Sequence, residues 1–150
     1  MGLKDRITED MKTAMRAKDA ARLSTIRLLL AAIKQKEVDE RIAVDDAQVV
    51  AIIEKLIKQR RDSIEQFGRA NRQDLVDQET FELSVLSGYQ PEQASAGELA
   101  AAVAEAIAAT GATGSADMGK VMGVLKGKLA GRADMAVVSG MVKAGLGKTA

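Results

Sequence analysis

The chain has a single proline, Pro91, and it follows Gly88-Tyr89-Gln90 at the end of a long run of helical patterning. Proline cannot continue a helix and glycine frees the backbone, so this tetrapeptide divides the sequence into two helical blocks, residues 1–90 and 91–150. Ala, Leu, Lys, Arg and Glu are abundant, and the only aromatic residues are Phe67, Phe81 and Tyr89. Any core must therefore be built from Leu, Ile, Val, Met and Ala, as in an all-helical protein.

Apolar residues recur at helical spacing on both sides of the break. Leu3, Ile7, Met11 and Ala14/Met15 predict a first helix ending near Lys18-Asp19. A second spans Ala20 to about Asp39; its run Leu28 to Ile33 is apolar on every side, the pattern of a central bundle helix. Asp45 and Asp46 supply a cap and acids for a third, Ala47 to about Phe67, with Gly68 as its stop. A fourth covers about Gln73 to Ser87, with Leu75, Val76, Phe81, Leu83 and Leu86 facing inward. Beyond Pro91, Ser95 and Glu98 form a capping-box pattern for an Ala-rich fifth helix that stops at Gly111. Ser115 or Asp117 caps a sixth helix, and Asp134 a seventh. Gly119, Gly123 and Gly127 follow at intervals of four, a pattern expected to let that face of helix six approach another backbone closely. The fold class is thus all-α: an N-terminal four-helix domain and a smaller C-terminal three-helix tail domain.

Composition removes several chemistries. The chain contains neither Cys nor His. Disulfide frameworks, thiolate sites, the usual zinc sites and His-activated nucleophiles are excluded, and no metal or cofactor is expected. No run of about 18 apolar residues marks a membrane span. The Met-Gly start lacks the Ser or Thr of an acylation signal, since Arg6 stands in that place. A soluble cytoplasmic protein is expected. The stretch Gly114 to Lys120 fits the spacing of a phosphate-binding loop. However, Val121 replaces the hydroxyl that would hold Mg²⁺, Asp117 puts an acid inside the loop, and an Ala-rich helix precedes it where a strand belongs. The fragment Gly147-Lys148-Thr149 has no first glycine and no following helix, and it reads as a chain end.

Two charged positions break the apolar stripes. Arg27 in helix two and Arg60 in helix three both fall on core-facing positions, where an unpaired charge is costly. They are expected to meet carboxylates such as Glu37 or Glu82 in a half-buried network that is structural rather than catalytic. Lys58, Arg61, Asp62 and Glu65 spread over the outer face of helix three and read as a solvated surface.

Charge concentrates at the end of the chain. From Gly119 onward, Lys120, Lys126, Lys128, Lys143, Lys148 and Arg132 face a single acid, Asp134, so this segment is about +5 in a chain of net +1. Lys126, Lys128 and Arg132 surround the turn between helices six and seven, which ends at a helix N-terminus whose amides favour anions. A phosphate backbone could be held there by charge and shape, without aromatic stacking; the plain alternative is a solubilising terminus.

Gly119-Lys-Val-Met-Gly123, Lys126-x-Lys128, Gly131-Arg-Ala-Asp134, Val138, Val142-Lys143 and Leu146 strongly resemble the tail of the YqeY family. Asp10-Met, Arg22-Leu-x-x-Ile-Arg27, Ile33-Lys-x-x-Glu37, Lys58-Gln-Arg-Arg-Asp-Ser-Ile64 and Arg72-x-Asp74-Leu extend the likeness over nearly the whole chain. That tail is similar to the C-terminal domain of the B subunit (GatB) of the glutamine-dependent aspartyl/glutamyl-tRNA amidotransferase. The resemblance implies contact with tRNA or other structured RNA through Lys120, Lys126, Lys128, Arg132 and Lys143, with Gly119 and Gly131 beside them. It does not imply amide transfer, and a carbon-nitrogen ligase label would describe the relative better than this chain. Gln90 between Tyr89 and Pro91, Ala94 in place of a common Leu, and Gly127 in place of a frequent Pro depart from the family pattern. They are expected to loosen the junction and the turn beside Lys128. The expected function is an RNA-binding accessory module without a complete active site. The alternative is an interaction module that docks to amidotransferase or synthetase subunits.

Overall fold

The computed structural model describes residues 2–149, with side chains described to Gly147; the side chain of Lys148, counted in the tail's charge, and the end of the Gly147-Lys148-Thr149 fragment lie outside them. Seven α-helices and no strand occur among the described residues. They are α1 (Leu3–Arg16), α2 (Ala20–Glu40), α3 (Asp46–Arg69), α4 (Gln73–Ser87), α5 (Ala96–Thr110), α6 (Met118–Leu129) and α7 (Met135–Thr149), with a 3₁₀ turn at Ser115–Asp117. The chain divides into two units, Met1–Gln90 and Pro91–Ala150.

In the first unit the helix ends are fixed by local polar chemistry. Asp45 accepts from the Gln48 amide at 2.8 Å while the Gln48 side chain accepts from the Asp45 amide at 2.9 Å, a reciprocal box that starts α3. Asp46 reaches across to accept from the Leu3 amide at 2.9 Å, so the start of α1 is capped by α3. Gly68 does not stop α3. It lies inside the last turn, and the left-handed residue that turns the chain is Asn71 (φ 57°), because Asn tolerates that conformation with a short polar side chain.

The core of this unit gathers Ile7 from α1, Ile26, Leu29 and Ile33 from α2, Ile53 and Ile57 from α3, and Leu86 from α4. Helix α2 touches the other three helices, yet it is not buried all round: Leu28 is 47% exposed and Val38 62%. Four helices in about 90 residues cover only one side of it. Phe81, expected on the inner face of α4, is 38% exposed. Tyr89 closes the unit. It is buried, donates to Asp10 Oδ2 at 2.6 Å and lies under the Arg6 guanidinium, 5.3 Å from the ring centre. Burial and the Asp10 carboxylate both push its hydroxyl above the usual phenol range.

The second unit packs Val103 and Ala106 of α5 against Val121, Leu125 and Leu129 of α6 and Val138, Val142 and Leu146 of α7. Ser95 accepts from the Glu98 amide at 3.1 Å to start α5, and Gly111 ends it at φ 64°. The close backbone approach is at Gly145 of α7, where a Cβ would stand 2.9 Å from Ile107 Cδ1 of α5. This corrects the expectation for Gly119, Gly123 and Gly127. A Cβ at any of the three meets nothing within 4 Å, so the four-residue glycine spacing marks the outward face of α6. No single helix is long and apolar enough to cross a membrane among the described residues.

Candidate nucleic-acid interface

The expected ion network in the first unit exists in half. Arg60 Nε lies 2.6 Å from Glu82 Oε2 and 3.2 Å from Glu79 Oε2, with all three side chains less than a fifth exposed. Burial raises the Glu79 carboxyl above its ordinary value; Arg60 opposes the rise and Glu82 adds to it. Arg27 does not join this group. It is exposed on α2 and its side chain has no polar partner among the described residues. Glu37, proposed as its partner, instead accepts from Lys4 Nζ at 2.8 Å and the Val44 amide at 3.1 Å. The Lys4 ammonium first, then that amide, hold the Glu37 carboxyl below the usual range. Lys58, Arg61, Asp62 and Glu65 are all exposed, as a solvated face requires.

In the second unit the basic residues separate into two sets. Lys120, Lys126 and Lys143 are exposed and have no ion-pair or hydrogen-bond partner among the described residues. Lys128 and Arg132 are engaged by α5. Lys128 Nζ reaches Glu105 Oε2 at 2.7 Å, and Arg132 Nη2 reaches Glu98 Oε2 at 2.9 Å. Lys128 holds the Glu105 carboxyl below its usual range, and Arg132, then the Ser95 amide, do the same for Glu98. The four side chains border a hollow of about 230 Å³ between α5 and α6.

The turn from α6 to α7 is built around Arg132. Its Nε donates to the Glu92 carbonyl at 2.9 Å, and its own carbonyl accepts from the Ala94 amide at 2.8 Å. Gln93 Nε2 donates to the Gly131 carbonyl at 2.8 Å. Gly131 is buried at φ 73°, a left-handed geometry that costs glycine nothing. Gly127, expected to loosen this turn, lies inside α6. At the far side of the turn Asp134 accepts from the Ala136 amide at 2.9 Å and so fills the anion position at the start of α7. Asp117 precedes α6, but its side chain turns back to accept from the Thr113 amide at 3.0 Å.

Helical geometry places Lys120, Val124 and Lys128 at i, i+4 and i+8 on one ridge of α6, about 12 Å from end to end. Lys126 stands on the other flank, with exposed Gly119, Gly123 and Gly127 between. Sequence reading missed the two carboxylates of α5, which lie 23 and 34 residues from their partners. It also missed an open apolar groove of about 750 Å³ on the α7 side of α5, lined by Val103, Ile107, Met141, Gly145 and alanines.

These elements define an all-helical protein whose smaller C-terminal unit carries unpaired lysines on α6 and α7. The chain belongs to the YqeY-like protein family, whose model matches residues 4–146. It is similar to "Altered inheritance of mitochondria protein 41, mitochondrial" of several fungi. Identity is 42% over 85 residues with the Kluyveromyces lactis protein, covering 56% of this chain and 46% of that one. With the Eremothecium gossypii protein it is 44% over 98 residues, 63% and 54% of the two chains. With the Pyrenophora tritici-repentis protein it is 35% over 128 residues, 82% and 71%. The chain thus spans about half the length of the first two of these relatives.

Proposed function

We propose that this protein is an RNA-binding accessory module, with tRNA the favoured ligand, and that its second unit makes the contact. The observation that carries the reading is the partition of charge in that unit. Four of the unit's five acids, Glu98, Glu105, Asp117 and Asp134, are each engaged by a cation or an amide within the unit and Glu92 is exposed, while Lys120, Lys126 and Lys143 are exposed with no partner among the described residues. Unpaired lysines on a rigid helical frame bind phosphates by releasing condensed counterions. The bare backbone at Gly119, Gly123 and Gly127 gives a strand room to lie close to α6. Arg132 and Gly131 act by shaping the turn, and Lys128 contributes once freed from Glu105. The resemblance of the tail to that of the tRNA amidotransferase B subunit supplies tRNA as the ligand. Binding of fluorescently labelled tRNA by the wild type and by a Lys120→Ala/Lys126→Ala/Lys143→Ala variant tests it. Affinity is expected to fall at least tenfold in the variant, and an unchanged affinity would refute the reading.

A second reading, docking to an amidotransferase or synthetase subunit, is favoured by the outward face of α2. There Leu28 is exposed next to Arg27, which has no partner among the described residues, and Val38 is exposed about three turns further along. A pull-down that survives RNase and high salt and is abolished by Leu28→Glu would support it. The proposed compartment is the cytoplasm. The mitochondrial names of the relatives make the mitochondrion the alternative, and cell fractionation decides between them.

A further inference from the structure

We infer that Glu105 is an internal counter-ion which Lys128 exchanges for a phosphate of the bound strand, whereas Arg132 stays fixed as part of the fold. The inference rests on the RNA reading above. The two ion pairs that join α5 to the end of α6 are unlike. Arg132 is held at Glu98 and at the Glu92 carbonyl, and its side chain is 36% exposed. Moving it would take the donor from the Glu92 carbonyl and the counter-ion from the Glu98 carboxylate. Lys128 has one partner among the described residues, and that pair stands in solvent, with side chains 54% and 71% exposed. An exposed pair of this kind favours its closed form by no more than about fivefold, and the lysine stem is flexible enough to swing the ammonium away.

Position gives the exchange its meaning. Lys128 shares the ridge of α6 with the unpaired Lys120, two turns away. A strand already held by Lys120 offers its next phosphates to Lys128 at high local concentration, and they compete with Glu105. A small isolated anion has no such advantage. Glu105 therefore selects for extended polyanions, because in the free protein it screens the Lys128 charge.

The test is a double-mutant cycle on the full chain, read as tRNA affinity at fixed low salt for the wild type, Glu105→Gln, Lys128→Ala and the double variant. Glu105→Gln is expected to tighten binding about twofold to fivefold, and to have no effect once Lys128 is alanine. Equal tightening in both backgrounds would mean that Glu105 acts only through bulk charge, and no tightening would mean that it does not compete; either overturns the inference. In both cases the RNA reading survives if the triple lysine variant still binds weakly. Absence of tRNA binding by the wild type removes that reading and this inference together.

Discussion

Arg60 Nε donates to Glu82 Oε2 at 2.6 Å from the middle of the apolar stripe of α3. The second carboxylate, Glu79, approaches to 3.2 Å, yet its Oε2 is buried without a hydrogen bond. One guanidinium therefore serves two acids. Arg60→Met should destabilise the first unit by about 2 kcal/mol, below the range for a fully buried pair because each side chain keeps some solvent. Glu79→Gln should be neutral or slightly stabilising at pH 7. Urea unfolding of the three proteins checks both.

The same site gives a dependence on pH. Burial raises Glu79, so this group's charge costs stability at neutral pH and the cost is relieved as pH falls through its folded value. Glu37, Asp74, Glu98 and Glu105 are lowered by Lys4, Arg72, Arg132 and Lys128. Their contributions are present above the unfolded carboxyl range and are lost as pH falls through the lowered values. The protein should lose stability on acidification below about pH 4. Any advantage of Glu79→Gln at pH 7 should vanish before that, as pH falls through the raised folded value of Glu79 to the ordinary carboxyl range, a comparison that melting temperatures from pH 7 to pH 3 can make.

Most local signals were legible in the sequence, although Gly68 does not end α3 and Asp117 does not cap α6; non-local ones were not. Asp45 with Gln48, Ser95, Gly111 and Asp134 mark helix ends through atoms within a few residues, and each stands where its chemistry predicts. Arg27 and Arg60 look alike on a helical wheel. Only the packing of α3 against α4 brings Glu82 to Arg60 and leaves Arg27 outside. Periodicity likewise found the glycine ridge of α6 but could not say which way it faces, and it could not see that α5 brings acids to Lys128 and Arg132.

Glycines of the second unit should respond unequally to alanine. Gly123→Ala and Gly127→Ala add a methyl in open space inside a helix, and each should stabilise by about 0.5–1 kcal/mol. At Gly145 the added carbon must displace the Ile107 terminal methyl. That strain should cancel the helical gain, leaving Gly145→Ala about 1 kcal/mol below the other two.

Tyr89→Phe removes the hydroxyl bound to Asp10 at 2.6 Å and keeps the ring. The first unit should lose about 1–2 kcal/mol, since the bond is to a charged acceptor. Tyr89→Leu, which also loses the Arg6 contact, should lose more. Thermal unfolding distinguishes the two.

The exposed lysines of α6 and α7 are expected to bind RNA phosphates. The most direct test is tRNA filter binding from 50 to 200 mM salt, comparing the wild type with Lys120→Ala/Lys126→Ala/Lys143→Ala. Log affinity should fall linearly with log salt, with a slope shallower in the variant by about two to three, nearly one unit per lost contact. Equal slopes, or wild-type binding indifferent to salt, would contradict it.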